Sequence, residues 1–506
     1  MSSSVDYDAL EATTSIEDIT EDELNRDTLR SLRDDDGDTS RLRLCSEEYA
    51  DEPGEYHPGH PGGSEELGWL GHYAKKSTHL EEFEIGPGDG IFRNCSEQSV
   101  VRFFQDIGRN DRIQSLIFTC TELFGVIYKL IPAMNENNIT RFYLDSCYLG
   151  VSETKLLFNA FRGMKSLEEL GISDQQDSDY DLDDDAMAEC IPSLAACTCM
   201  QKLILRDLNI CTNSCAAMSE ICPRMAALLD LDLSGNSIND DCVQVLVRGL
   251  AECNQLLQLR LVSNIVTDNG LDLLIERLPA SVRYLSVANN QITLARQLPL
   301  LRFHELDLSG NQLSLHGPRV IAASLANPEC HLVTFWLHQT GIGDEGAAIL
   351  AESLRSNRKL TYMLLSTIIT SSRINETGWN AFSSILCDTT SINATYNSNH
   401  TLEELGTNSA MPQDVITMLK FNFGKDKSLV AANKILQAHR HLDMKPLFGM
   451  KLDLLPNVVA WIERFAESRL DLKLSSFYQF VRAMPMNVVD GLLGTKKGKK
   501  RRRDNA

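Results

Sequence analysis

An eleven-residue pattern, L-x-x-L-x-L-x-x-N-x-L, constrains this chain more than any other feature. It appears as Leu228, Leu231, Leu233, Asn236 and Ile238, again as Leu256, Leu259, Leu261, Asn264 and Val266, and again as Phe303, Leu306, Leu308, Asn311 and Leu313. The L-x-L core has period two, which predicts a short strand with one buried face. The Asn position turns the chain, and its side chain can satisfy backbone groups that would otherwise be buried without partners. After each strand the apolar spacing changes to about 3.6, as in Asp241–Leu250 and Gly346–Leu354, which predicts a helix of about three turns. Thr267 and Asp344 stand where N-caps belong. One such unit cannot bury its own apolar face, so the units must stack.

The first apolar position of each unit can be followed along the chain. It falls at Leu80, Ile113, Ile139, Leu167, Met200, Leu228, Leu256, Val282, Phe303, Leu332, Leu360 and Ile392. The steps are 33, 26, 28, 33, 28, 28, 26, 21, 29, 28 and 32 residues. Both ends decay from the pattern: the last unit is read as Ile392, Thr395 and Leu402. The prediction is an α/β solenoid of about 12 repeats, a curved horseshoe with a parallel sheet on the concave face and helices on the convex face.

Strand plus full helix at about 28 residues resembles the ribonuclease-inhibitor-like class of leucine-rich repeat proteins. The segment Thr340-Gly-Ile-Gly-Asp-Glu-Gly-Ala-Ala-Ile-Leu-Ala-Glu-Ser-Leu354 looks like that class's turn into its helix. The likeness covers roughly residues 66–410. The flanks Leu67-Gly-Trp-Leu-Gly-His72 and Ser391-Ile-Asn-Ala-Thr-Tyr-Asn-Ser-Asn-His-Thr-Leu402 are similar to a set of microalgal repeat proteins. The class includes inhibitors, GTPase-activating proteins, immune sensors and actin-capping proteins, so it implies a fold rather than one activity.

Charge is unevenly spread. The net charge is −22 over 506 residues, but residues 1–60 carry −13 and residues 495–506 carry +6. An acidic body repels phosphate backbones, which argues against nucleic acid as the main partner. The start, MSSSVDYDAL, has neither the basic nor the apolar region of a secretory signal, and no apolar run is long enough to span a membrane. With 14 scattered cysteines and no C-x-x-C pair, free thiols in a reducing, intracellular compartment (nucleus or cytoplasm) are expected.

These shifts divide the chain into four parts. Residues 1–63, acidic and ending in a Pro/Gly run, are expected to be disordered. Residues 64–410 form the solenoid, with Glu66–Lys76 as a front cap. Residues 411–494 form a helical C-terminal cap over Asp426–His439, Leu455–Ser468 and Leu474–Leu493. Residues 495–506 form a disordered basic tail. Within it Lys496, Lys497, Lys499, Lys500, Arg501, Arg502 and Arg503 fit a nuclear-import signal, with an import receptor as its reader; the alternatives are a nonspecific phosphate-binding arm or a solvated tail with no role.

No sequence motif points to catalysis, a metal or a cofactor. Gly341-Ile-Gly-Asp-Glu-Gly346 matches G-x-G-x-x-G, but the repeat period explains its glycines as a tight turn. Asp179, Asp181 and Asp183 hint at a calcium loop, yet Asp184 and Cys190 stand where glycine and glutamate would be needed, so a solvated loop is expected. Cys197, Cys199, Cys211, Cys215 and Cys222 lack paired zinc spacing and are read as thiols packed in the core.

What remains is a surface. The x positions of the strands face away from the core and offer Tyr143, Arg206, Arg260, Tyr284, Trp336, His338, Tyr362 and Tyr396, residue types favoured at interface hot spots. Trp336, between Phe335 and Leu337, should turn outward by alternation. The expectation is a non-enzymatic scaffold that binds a protein. The alternative is a GTPase-activating protein of the same repeat class, although that family's acidic segment follows its repeats and this chain's acid lies at the front.

Overall fold

The computed structural model describes residues 5–46, 60–88, 90–121, 123, 125–136, 138–147, 149–173, 182–366, 374–406 and 411–439. The chain divides into two compact units, Met1–Ser314 and Leu315–Ala506.

Among its described residues the first unit holds ten strands: β1 Arg41–Leu44, β2 Glu82–Ile85, β3 Ser115–Thr119, β4 Arg141–Asp145, β5 Glu169–Ser173, β6 Lys202–Leu205, β7 Asp230–Asp232, β8 Gln258–Arg260, β9 Tyr284–Ser286 and β10 Glu305–Asp307. They pair in parallel, and their order in the sheet is their order in the chain. Each L-x-L core is a strand whose leucines are buried: Leu231, Leu259, Leu285 and Leu306 are all 0% exposed. At roughly 1.5–3 kcal/mol for each fully buried side chain, this repeated row is the main stabilising element.

The turn residues do what their chemistry allows. Asn236 Oδ1 accepts from the Leu208 and Ile210 amides, both at 3.0 Å, while its Nδ2 donates to the carbonyls of Leu205 and Leu233 at 2.9 Å and Ser234 at 3.1 Å. Asn264, Asn290 and Asn311 repeat the arrangement one rung further each time. Each side chain therefore ties its own turn to that of the preceding rung.

A second ladder runs along the helix starts. Asp184 accepts from the amides of Cys211, Asn213 and Ser214 in the next repeat. Asp240 receives Thr267, and Asp268 receives Thr293, Leu294 and Ala295. The acids 183–185 are thus not a solvated loop. Asp183 caps the helix Asp184–Cys190, and Asp184 seals the seam to the following repeat. Residues 174–181 lie outside the described residues.

Residues 5–46 and 60–63 correct the expectation of disorder for residues 1–63, of which 1–4 and 47–59 lie outside the described residues. Residues 5–46 carry the helices Tyr7–Leu10, Ile16–Ile19 and Glu23–Arg33 and then β1, which pairs with β2 through Arg41↔Glu82 to Leu44↔Ile85. Many of its acids have structural tasks. Asp6 and Asp22 are N-caps, Asp18 completes a capping box with Ser15, and Asp35 receives Ser77 and Thr78. Between them Tyr7, Ile16, Leu29, Leu32, Leu42 and Leu44 are buried. The helix expected as the front cap, observed at Ser64–Ala74, is itself covered: Tyr7 packs edge-on against Trp69 at 4.8 Å.

The second unit holds β11 Thr334–Trp336, β12 Tyr362–Ser366 and β13 Glu404–Gly406. Gly341, in the expected tight turn, has φ +77°, and Gly343 rather than Asp344 is the N-cap of the helix Asp344–Leu354. Asp344 instead accepts from the Asn375 amide at 2.7 Å, as its counterparts do in the first unit. Thr267, by contrast, is the N-cap expected of it. The last repeat is shifted from its predicted register. Leu402 and Leu405 fill the core positions of β13, while Ile392–Tyr396 is a short helix. The helix Lys427–Ala438 follows, capped by Asp426, and is pinned by Lys434, whose buried amine donates to the carbonyls of Leu386 and Asn399. The helices expected at Leu455–Ser468 and Leu474–Leu493, and the basic tail, lie outside the described residues. No helix among the described residues is long and apolar enough to cross a membrane.

Candidate protein-binding face

Strand alternation leaves one side of the first unit's sheet uncovered by the leucine core. Across β3 to β10 one cross-strand row of that side reads Ile117, Tyr143, Gly171, Ile204, Asp232, Arg260, Ser286 and Asp307. The neighbouring row reads Ser115, Arg141, Glu169, Lys202, Asp230, Gln258, Tyr284 and Glu305.

The first half of this surface is an aromatic platform. The Tyr143 ring lies over Gly171, where any side chain would collide with it. Its hydroxyl donates to Glu169, and the Lys202 ammonium stands 5.9 Å from the ring centroid. Burial, then the Glu169 carboxylate, pushes the Tyr143 phenol well above its ordinary pKa, so it remains a donor. Ile117 and Ile204 flank it, both partly exposed.

The second half is ionic and internally paired. Arg206 donates from Nε at 2.9 Å and Nη2 at 2.5 Å to Asp232, whose carboxylate also receives the Ser234 amide and hydroxyl. Arg260 is held by Asp230 and Gln258, each at 2.6 Å, and lies 5.1 Å from the Tyr284 ring centroid. Each arginine is fixed by a carboxylate from an adjacent strand before any partner arrives, which lowers the entropy lost on contact.

In the second unit Trp336 and Tyr362 share a sheet face, since Thr334 pairs with Tyr362 and the intervening Phe335 and Met363 are both buried. Trp336 is half-buried and the Tyr362 hydroxyl donates to Glu403 at 3.3 Å. His338, two residues beyond Trp336, is also half-buried. Tyr396 does not belong with them. It ends the helix Ile392–Tyr396 and is exposed there, because the repeat that placed it on a strand begins at Leu402 instead.

The sequence reading named the arginines and tyrosines but not the residues that set their positions: Glu169, Gly171, Asp230 and Asp232. Their signal was present as x positions on successive rungs. It required the register, which fixes who stands beside whom.

The described cysteines are free. Cys197, Cys215 and Cys222 are buried as expected, whereas Cys199 is exposed and Cys211 partly so. Among the described residues, one carboxylate–imidazole grouping, Asp8, Glu11 and His72, has spacing that suits a metal. Lys76 Nζ already occupies it, at 2.9 Å from Asp8 and 2.6 Å from Glu11, so the group reads as an ion-pair cluster that docks the N-terminal segment.

Parallel strands on an L-x-L core, buried asparagines at the turns and a helix after most strands, though none between β9 and β10, define the fold. The chain has the leucine-rich repeat solenoid fold, and its sequence is similar to ribonuclease inhibitors. It is 24% identical over 294 residues to mouse ribonuclease inhibitor, covering 50% of this chain and 63% of that protein. It is 26% identical over 218 residues to pig ribonuclease inhibitor, covering 42% of each. A third relative is mouse NACHT, LRR and PYD domains-containing protein 12, 30% identical over 164 residues, which cover 32% of this chain and 14% of that protein. The chain spans less than two thirds of the length of each of these relatives. Among solved structures, a Listeria monocytogenes internalin is 14% identical with a TM-score of 0.40, covering 73% of this chain and 95% of that one. No family model matches the chain.

Proposed function

We propose that this protein is a non-enzymatic scaffold that binds a partner protein on the open faces of its repeat sheets. The observation that carries this reading is the pre-paired surface of the first unit. Arg206 and Arg260 are held in place by Asp232 and Asp230, and the Tyr284 ring lies against Arg260, beside the Tyr143 platform. Such a surface offers an apolar centre and oriented charged groups, the combination that protein interfaces use. Relatives named as ribonuclease inhibitors support a protein as the ligand. Arg206 and Arg260 are already engaged by carboxylates, so they lend no weight to a GTPase-activating role.

The test is affinity capture from native cells, with wild type compared with two double variants, Arg260→Ala with Tyr284→Ala and Trp336→Ala with Tyr362→Ala. At least one pair should reduce recovery of a specific partner about tenfold or more. Recovery unchanged in both variants would remove the open faces from the account.

We also propose that Lys496–Arg503 directs the protein to the nucleus through an import receptor. A fluorescent fusion of the full chain should accumulate in nuclei, and replacing Lys499, Lys500, Arg501 and Arg502 by alanine should equalise it with the cytoplasm. Equal distribution of both proteins would sink the idea.

A further inference from the structure

Two adjacent repeats of the first unit bring cysteines together where their helices begin. Cys211 is the N-cap residue of the helix Thr212–Ile221, but its side chain makes no capping bond. Its sulfur instead stands 3.9 Å from that of Cys242, the third residue of the next helix, Asp240–Leu250. The Thr212 hydroxyl lies 3.7 Å from both sulfurs. Cys211 is partly exposed and Cys242 is buried beneath it. A disulfide requires sulfurs at about 2.0 Å, so the two sulfurs must close by about 2 Å.

The chemistry of the pair is asymmetric. Cys242 lies in the first turn of its helix, where the unpaired amides favour negative charge. Hydrogen bonding from Cys215, then from the local backbone, Thr212 and Cys211, holds its thiol below the ordinary thiol range, while Cys215 is raised. Cys242 is thus suited to be the thiolate and Cys211 to be the thiol that solvent reaches.

We propose that Cys211 and Cys242 are a redox-modification site that a hydroperoxide closes to a disulfide across the seam between two repeats. The Cys242 thiolate attacks one peroxide oxygen, the O–O bond breaks, and a sulfenic acid forms with release of hydroxide. The Cys211 sulfur then attacks the Cys242 sulfur and expels the sulfenic oxygen as hydroxide, which takes the Cys211 proton to become water, while the hydroxide of the first step takes up the proton that Cys242 released on ionising. Two thiols are oxidised by two electrons in all, and one hydrogen peroxide is reduced to two waters.

The seam is otherwise well closed. Gly249 brings the second helix close against the backbone at Ser219 of the first, and Cys253 donates to the Cys222 carbonyl at 3.2 Å near the other ends of the two helices. Cys222 and Cys253 are both fully buried, so the oxidant's way in is at Cys211.

The experiment treats the reduced full-length protein with hydrogen peroxide, blocks remaining thiols with an alkylating agent, and maps linked peptides by mass spectrometry without reduction. A Cys211–Cys242 linkage is expected, reversible by dithiothreitol, with both thiols lost about tenfold faster than exposed Cys199. Cys211→Ser and Cys242→Ser should each abolish it, and Cys199→Ser should not. Because Cys242 is buried, the partly exposed Cys211→Ser is the decisive variant, and circular dichroism confirms that each variant is folded. A Cys215–Cys242 linkage, no linkage, or loss of Cys211 and Cys242 no faster than Cys199 would overturn the proposal.

Discussion

Replacing Asn236 by alanine is expected to destabilise the first unit by about 4 kcal/mol, far more than an ordinary surface change. The side chain serves five backbone groups at once: two amides, of Leu208 and Ile210, and three carbonyls, of Leu205, Leu233 and Ser234. Asn236 is only 8% exposed, so water has little room to replace it. Each buried group left without a partner costs about 1–3 kcal/mol, and partial relaxation limits the sum. Hydrogen exchange should show the loss locally, as faster exchange of the Leu208 and Ile210 amides, alongside a lower denaturation midpoint. A shift below about 1 kcal/mol would mean that the asparagine ladder is decoration on a leucine core.

Gly249→Ala is the second large expectation, and its sign runs against helix propensity. Alanine in place of a helical glycine should favour the helix by roughly 1 kcal/mol. Here the added methyl would overlap the Ser219 carbonyl oxygen and lie 2.6 Å from Ser219 Cα, both of them backbone atoms that cannot rotate away. The two helices must separate, at an overpacking cost of about 1–3 kcal/mol or more. A net loss of about 2 kcal/mol in chemical denaturation is expected, and a more stable variant would contradict the close approach. Because Cys211 and Cys242 lie across the same seam, this variant should also slow their oxidation.

Much of this architecture could be read from the residues, because a repeat states its rule many times. The leucines of the strands and the asparagines of the turns fell where the period put them, and so did Thr267 as an N-cap. Single-copy features were harder. The N-terminal segment looked disordered because its composition is acidic, yet Asp6, Ser15 and Asp22 cap helices and Leu29, Leu32, Leu42 and Leu44 are buried. Its strand β1 lacks an apolar first position, since Thr39 stands where Leu80 stands one rung later. Ile392 was mistaken for the start of a repeat because Ile392 and Thr395 imitate the spacing. The turn of a helix and the pitch of the pattern coincide over four residues. The surface pairs Arg206–Asp232 and Arg260–Asp230 depended on register, which no single repeat contains.

The strand order of the first unit has a consequence for how the protein is made. Among the described residues of the first unit, the strands β1 to β10 pair with one another in chain order. No rung waits for a segment that has yet to be synthesised. Of the strands β1 to β10, β1 emerges first, with short helices and buried leucines before and within it. The acidic segment at the start of the chain therefore supplies the template on which each later repeat can be laid as it emerges.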